Sequence, residues 1–190
     1  MVIREMALIR QMKESYKGSG YTVMVDDNDT WFIHGLAWAA RIDGRTNVPN
    51  EVLSLIVLHM GYIPAPETAY RVYKTKDGAA IQNEVLEVAM KPIRALDEMR
   101  KDENNDQKLA RRTKLQFKNL RVWQIVRDMR IILVDPVFEK IMATKSEIRF
   151  VGEALCAEGK ISCVYVFRAP ADDDSSVQIE HLAKLQWTER

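Results

Sequence analysis

Apolar residues near the start of the chain recur every three or four positions. Val2, Met6, Ile9, Met12 and Tyr16 fall on one stripe, which predicts a helix over 2–16, and Gly18 is its natural stop. The period then shortens to two. Tyr21, Val23 and Val25 alternate, the turn-forming cluster Asp26-Asp27-Asn28-Asp29 follows, and Trp31-Phe32-Ile33 completes what reads as a β-hairpin. The apolar run from Leu36 to Ala40 reads as a short helix ending near Asp43-Gly44. In the next helix, Asn47 offers an N-cap, Pro49 lies in the first turn and Gly61 gives the stop. Val52, Leu53, Leu55, Ile56, Val57 and Leu58 make it apolar on almost every side, the pattern of a helix at the centre of a core.

Residues 69–74 alternate and end at the turn signal Asp77-Gly78. A helix is predicted over 82–100, with Val85, Val88, Ala89, Ile93 and Leu96 inward and with Pro92 kinking or dividing it. The stretch 97–106 carries five acids and two bases and reads as an exposed connection. From 107 to about 133 the pattern fits a long helix, ended by Asp135-Pro136, with one or two further turns over 137–143. Two β runs, 147–155 and 161–168, flank 157–160; the second is apolar on both faces, as a central strand is. Val177, Ile179 and Leu182 begin a last strand or helix. The fold class expected is α+β: a helix-rich N-terminal half with a β-hairpin, a long central basic helix and a C-terminal antiparallel β-sheet. The acidic connection suggests subdomains 1–103 and 104–190, although a single domain 1–190 fits as well.

Composition sets the outer bounds. With 190 residues, 47% hydrophobic and 29% charged, the chain is an ordinary globule able to bury roughly 70% of its unfolded surface. Its 28 Lys+Arg against 27 Asp+Glu exclude a wholly basic packaging protein and an acidic mimic of DNA. No stretch approaches the roughly 20 apolar residues of a membrane span. The charged start MVIREMALIRQMKES lacks the apolar core of about 7–15 residues that a secretory signal needs, so a cytoplasmic protein without membrane contact is expected. If Glu158-Gly159 is a hairpin turn, Cys156 and Cys163 are diagonal neighbours roughly 7–8 Å apart between Cα atoms. That exceeds the usual disulfide range of about 4.4–6.8 Å, so two buried thiols are expected.

The charge pattern carries the one usable functional signal. Residues 108–130 hold eight bases and one acid, Asp128, an excess of seven in a protein whose net charge is +1. Arg111, Lys114, Lys118 and Arg121 are spaced by three, four and three, which on a helix aligns four cations along one stripe, with Arg112 beside it. Such a face invites phosphates, and a helix fits the DNA major groove. The competing reading is a solvated face balanced by the acidic stretch 97–106, or a surface for an acidic protein partner. No zinc-finger spacing or RNA-binding aromatic motif is present, so contacts with phosphates rather than bases are expected, and Phe117 and Trp123 are assigned to core packing.

Motifs for catalysis are absent. His34, His59 and His181 show no metal-ligand spacing, and Gly18-Ser19-Gly20 follows a helix and opens a strand, the reverse of a phosphate-binding loop. Asp27-Asn28-Asp29 resembles the start of a calcium loop but lacks the glycine and closing glutamate in register. No catalytic residues, metal site or cofactor are therefore expected. His34, between large apolar residues in WFIHGLAW, could line a pocket with Trp31 and Trp38. The leading expectation is a non-enzymatic binding or regulatory protein that engages nucleic acid or a nucleoprotein through Arg111, Arg112, Lys114, Lys118 and Arg121. One alternative is a protein–protein inhibitor or adaptor of the kind mobile genetic elements or phages encode. Another is a small-molecule enzyme or sensor with a pocket near His34. A homodimer is compatible with each.

Overall fold

A computed structural model describes residues 2–101, 108–127, 130–143 and 146–169. Its frame is an antiparallel sheet of eleven strands. In chain order the elements are α1 (Glu5–Lys17), β1 (Tyr21–Val25), β2 (Thr30–His34), β3 (Trp38–Asp43), α2 (Asn50–Met60), β4 (Thr68–Thr75), β5 (Gly78–Asn83) and α3 (Leu86–Lys101). They continue as β6 (Lys108–Phe117), β7 (Leu120–Ile125), β8 (Ile131–Val134), α4 (Pro136–Glu139), β9 (Ile148–Val151), β10 (Ala154–Glu158) and β11 (Ser162–Phe167). Across the sheet the order is β5-β4-β1-β2-β3-β11-β10-β9-β6-β7-β8. Strand β11 lies between β10 and β3, so a strand late in the chain hydrogen-bonds directly to the N-terminal meander. The boundary considered near 103 falls outside the described residues.

Period-two alternation divides the side chains between two faces. On one face Val23, Val25, Trp31, Ile33, Trp38, Ala40 and Ile42 pack with Leu8 and Met12 of α1 and with Val52 and Ile56 of α2. On the other, Met24, Phe32, Ala39, Cys156, Cys163 and Tyr165 pack with Met90, Ile93 and Leu96 of α3. Both faces of the central strands are covered, which is why β11 reads as a nearly continuous apolar run. Each fully buried Leu8, Met12 or Ile56 contributes roughly 1.5–3 kcal/mol. Helix α3 is also docked by polar contacts. Asp97 accepts from the Tyr165 hydroxyl and pairs with Arg41 and Arg100, each at 3.4 Å, while Arg100 also reaches Glu158.

The expected helix-rich half and long central helix are overturned, because the sheet dominates the molecule. Residues 107–133 contain β6, β7 and β8 instead of a helix. Leu115 and Phe117 alternate with polar neighbours, Val122 alternates with Arg121 and Trp123, and Lys118-Asn119 is a two-residue turn. Both turn residues have positive φ, 46° and 69°, the backbone of a hairpin turn whose twist matches its strands. The three-four-three spacing of cations fits a helix by coincidence, and cross-strand pairing overrides it. The run 36–40 likewise enters strand β3, and residues 78–83 form β5 ahead of α3.

Other expectations are corrected in detail. Helix α2 is not apolar all round in its packing: Val52 and Ile56 are fully buried, whereas Leu58 is 76% exposed. It lies on the sheet, not at the centre of the core. Pro49 takes the position before its first residue, and Asn47 donates from its side chain to the Asp43 carbonyl at 2.5 Å. Val85 and Val88, expected inward, are exposed, and α3 runs through Pro92. The run 147–155 is two strands, β9 and β10, divided at Gly152 with φ 56°. Residues 102–107 and the segment containing Val177, Ile179 and Leu182 lie outside the described residues.

Several expectations match. Helix α1 ends at Gly18, and the β1–β2 hairpin turns where Asp26 accepts from the amides of Asn28 and Thr30 at 3.0 and 2.7 Å. The thiols of Cys156 and Cys163 are free, buried and diagonal across β10–β11, with Sγ atoms 3.2 Å apart. The pairing is Cys156 with Tyr165 and Cys163 with Glu158, so the turn falls after Glu158.

Candidate functional site

The basic segment forms a two-stranded ribbon. Strand β6 starts beside β9, through Lys108 and Leu109, and then leaves it to pair with β7 along Ala110 to Phe117. An irregularity between Arg112 and Gln116 breaks the ladder. The buried Thr113 hydroxyl takes over there, donating to the Val122 carbonyl at 2.8 Å and accepting from the Leu115 amide at 3.2 Å. The ribbon has its own small core of Val122, Ile131 and Leu133 with Leu115, Phe117 and Leu120 against it. Residues 108–127 carry seven bases and no acid.

Strand geometry distributes the five expected site residues differently from a helical stripe. Arg112 lies opposite Trp123 and Gln116 opposite Arg121, so Arg112, Trp123 and Arg121 share a face. Arg111 lies opposite Gln124 on the alternate register. Lys114 falls inside the irregular stretch, and Lys118 occupies the turn, its ammonium 5.6 Å from the centroid of the Phe117 ring. Arg111, Arg112, Lys114 and Lys118 are exposed, whereas Arg121 is half-buried.

A groove of about 760 Å³ runs along the base of the ribbon, and Arg111, Arg112 and Arg121 line it together with Arg4, Lys140 and Glu139. Glu139, projecting from α4, is the organising acid. Its carboxylate is 3.1 Å from Arg112 Nε and 4.0 Å from Arg121 Nε, and it accepts from Trp123 Nε1 at 3.2 Å. Asp135 caps α4 by accepting from the Val137 amide at 2.8 Å, and this fixes where Glu139 points. Arg112 and Arg121 are thus partly neutralised within the fold. The acidic stretch does not supply that balance where it is described: Asp97 is engaged by Arg41, Arg100 and Tyr165. Arg4, Lys140 and Glu139 were invisible to spacing arguments, since only the packing of α4 and the N-terminus against the ribbon gathers them.

The other expected group, Trp31, His34 and Trp38, is divided by the sheet. Trp31 and Trp38 face α1 and α2 and are buried in that core. His34 is one register step from Ile33, pairs with Ala39 and faces the α3 side. There it lines a second cavity of about 410 Å³ with Thr22, Arg71, Glu84, Val88 and Phe167 among others. Burial holds the His34 pKa below its usual value, outweighing the Gly35 carbonyl and the Glu84 charge that favour the imidazolium. His59 lines neither cavity; it stacks on Tyr16 with ring centroids 3.8 Å apart, and its Nδ1 is 3.0 Å from the Tyr21 hydroxyl.

Among the described residues no group of three or more His, Cys, Asp or Glu could hold a metal ion, and no helix is long and apolar enough to cross a membrane. No family model, curated protein or solved structure matches the chain.

Proposed function

We propose that the protein is a nucleic-acid-binding protein whose β6–β7 ribbon meets the phosphate backbone. The observation that carries this reading is the concentration of seven bases and no acid over residues 108–127 in a chain of net charge +1. The ribbon's shape adds support. Two-stranded ribbons fit the DNA major groove, which is about 12 Å wide. From Arg111 to Lys118 an extended strand reaches at most about 23 Å. That length of duplex presents about 13 phosphate charges at roughly 1.7 Å each. Arg111 and Lys114 are the outward cations of this surface, and Arg112 and Arg121 form a second rank held by Glu139.

The test is fluorescence anisotropy with labelled single- and double-stranded DNA and RNA over roughly 50–200 mM salt. Four phosphate contacts give a log–log salt slope of about −3.6, a loss of about 150-fold over that range. Arg111→Gln with Lys114→Gln should flatten the slope by about 1.8 while leaving the melting temperature near that of the parent. Absence of binding at the lowest salt, or a slope the double variant leaves unchanged, refutes the assignment to this ribbon. In that event a pull-down with acidic protein partners becomes the next experiment.

A further inference from the structure

The cavity between α3 and the sheet is built differently from the basic groove. Part of its lining is polar. Thr22 donates to Glu84 at 3.3 Å, Arg71 is anchored by donating to the Ser19 carbonyl at 2.8 Å, and His34 lies within electrostatic reach of both Glu84 and Arg71. Apolar side chains complete the lining: Val88 and Ile93 of α3, with Phe167 and Leu36. Its volume of about 410 Å³ is within the usual range for small-ligand pockets.

The rim of this cavity is costly unless something covers it, since Leu36 and Val88 there are 86% and 70% exposed. His34 forms part of the wall; its Nδ1 is 3.4 Å from the Gly35 carbonyl oxygen and its Nε2 is sealed from solvent. The polar lining therefore offers one anionic acceptor, the Glu84 carboxylate, and one cationic donor, Arg71. An ammonium group satisfies the carboxylate, a carboxylate satisfies the guanidinium, and an apolar body covers the rim.

We propose that this cavity binds a small zwitterion with an apolar body, the chemical class of a free apolar α-amino acid. The ammonium is received by Glu84 beside the His34 ring, the carboxylate by Arg71, and the side chain lies along α3 between Val88 and Phe167. The site is separate from the β6–β7 ribbon, so it stands whether or not the chain binds nucleic acid.

The probes are L-phenylalanine, 2-phenylethylamine, which lacks the carboxylate, and 3-phenylpropionate, which lacks the ammonium. Binding to the full chain is followed by titration calorimetry and by the histidine ring resonances in NMR spectra, with His34 assigned by His34→Asn. L-phenylalanine should bind most tightly and should shift the His34 resonance but not that of His59. Glu84→Gln and Arg71→Met should each weaken it about tenfold or more, the loss of one charge-assisted hydrogen bond. Both positions border solvent, so the variants are expected to fold, and Val88→Lys, at an exposed rim position, offers an independent block of the apolar lining. No binding by any probe at millimolar concentration overturns the proposal. So does equal binding of the two truncated probes and the amino acid, or binding indifferent to all three variants.

Discussion

Replacing Glu139 by glutamine separates the structural role of the ribbon's cations from their availability to a partner. Glutamine keeps the size of the side chain and an oxygen able to accept from Trp123 Nε1, so the change removes mainly the charge. Two guanidiniums then lose their counterion. Arg112 is 44% exposed on its side chain, and a pair of that kind is worth about 0.2–1 kcal/mol. Arg121 is only 14% exposed and Glu139 only 12%, so this pair approaches the buried case, in which removing one partner costs about 3–5 kcal/mol. The longer separation of 4.0 Å lowers that figure. A net loss of about 2 kcal/mol follows, which for a chain of this length lowers the melting temperature by about 4–8 °C. The effect on binding has the opposite sign. Arg112 and Arg121 become available to phosphates, so the salt slope steepens by about 0.9 for each one engaged. Thermal unfolding followed by circular dichroism, alongside anisotropy titrations of parent and variant, reads both effects. A variant as stable as the parent shows that Glu139 does not neutralise Arg121. A destabilised variant whose salt slope is unchanged shows that the groove cations do not meet the nucleic acid.

Further outcomes follow from the core and its buried polar groups. Burial, with Lys13 adding to it, lowers the pKa of His59, and burial lowers that of His34. In the window below about 6.5 the unfolded chain therefore takes up protons that the folded one resists, and stability should fall as pH drops through it. Urea denaturation at a series of pH values should show a smaller drop in His59→Gln, and equal drops in both proteins contradict the assignment. Both thiols are buried, and neighbouring Cys163 and burial push the Cys156 thiol up; burial alone should keep either thiol from reacting with a thiol-specific disulfide reagent at neutral pH in the folded chain, and both should react in denaturant. Fast labelling without denaturant would show that α3 does not cover β10 and β11. Ile56→Ala should cost about 2–5 kcal/mol and Leu58→Ala within about 0.5 kcal/mol, because two residues along α2 turn the chain by about 200° and place the first against the sheet and the second in solvent. Comparable losses in equilibrium unfolding would mean that α2 packs on another face.

Local signals in the sequence determined a good part of this protein. The β1–β2 hairpin was legible because Asp26-Asp27-Asn28-Asp29 supplies its own turn chemistry, and α1 and α2 because Gly18 and Gly61 terminate clear apolar patterns. The burial of β11 on both faces was legible from its nearly continuous apolar run. The charge excess over 108–127 needed no structure at all, since counting suffices. Residues 107–133 were decided only by tertiary pairing. Their cations fit a helical spacing and their apolar residues fit a strand, and the ladder to β9 and β8 selects the strand. The same selection put Arg111 and Arg112 on alternate registers and brought Glu139 against Arg112 and Arg121. It also parted His34 from Trp31 and Trp38, because a sheet sends neighbouring residues to opposite faces. Sites assembled from α4, the ribbon and the N-terminus, or from β1, β2, β4 and α3, depend on contacts between residues tens of positions apart. Local periodicity specifies which face of an element is apolar, but the partner that covers this face is chosen by the packing of the whole chain.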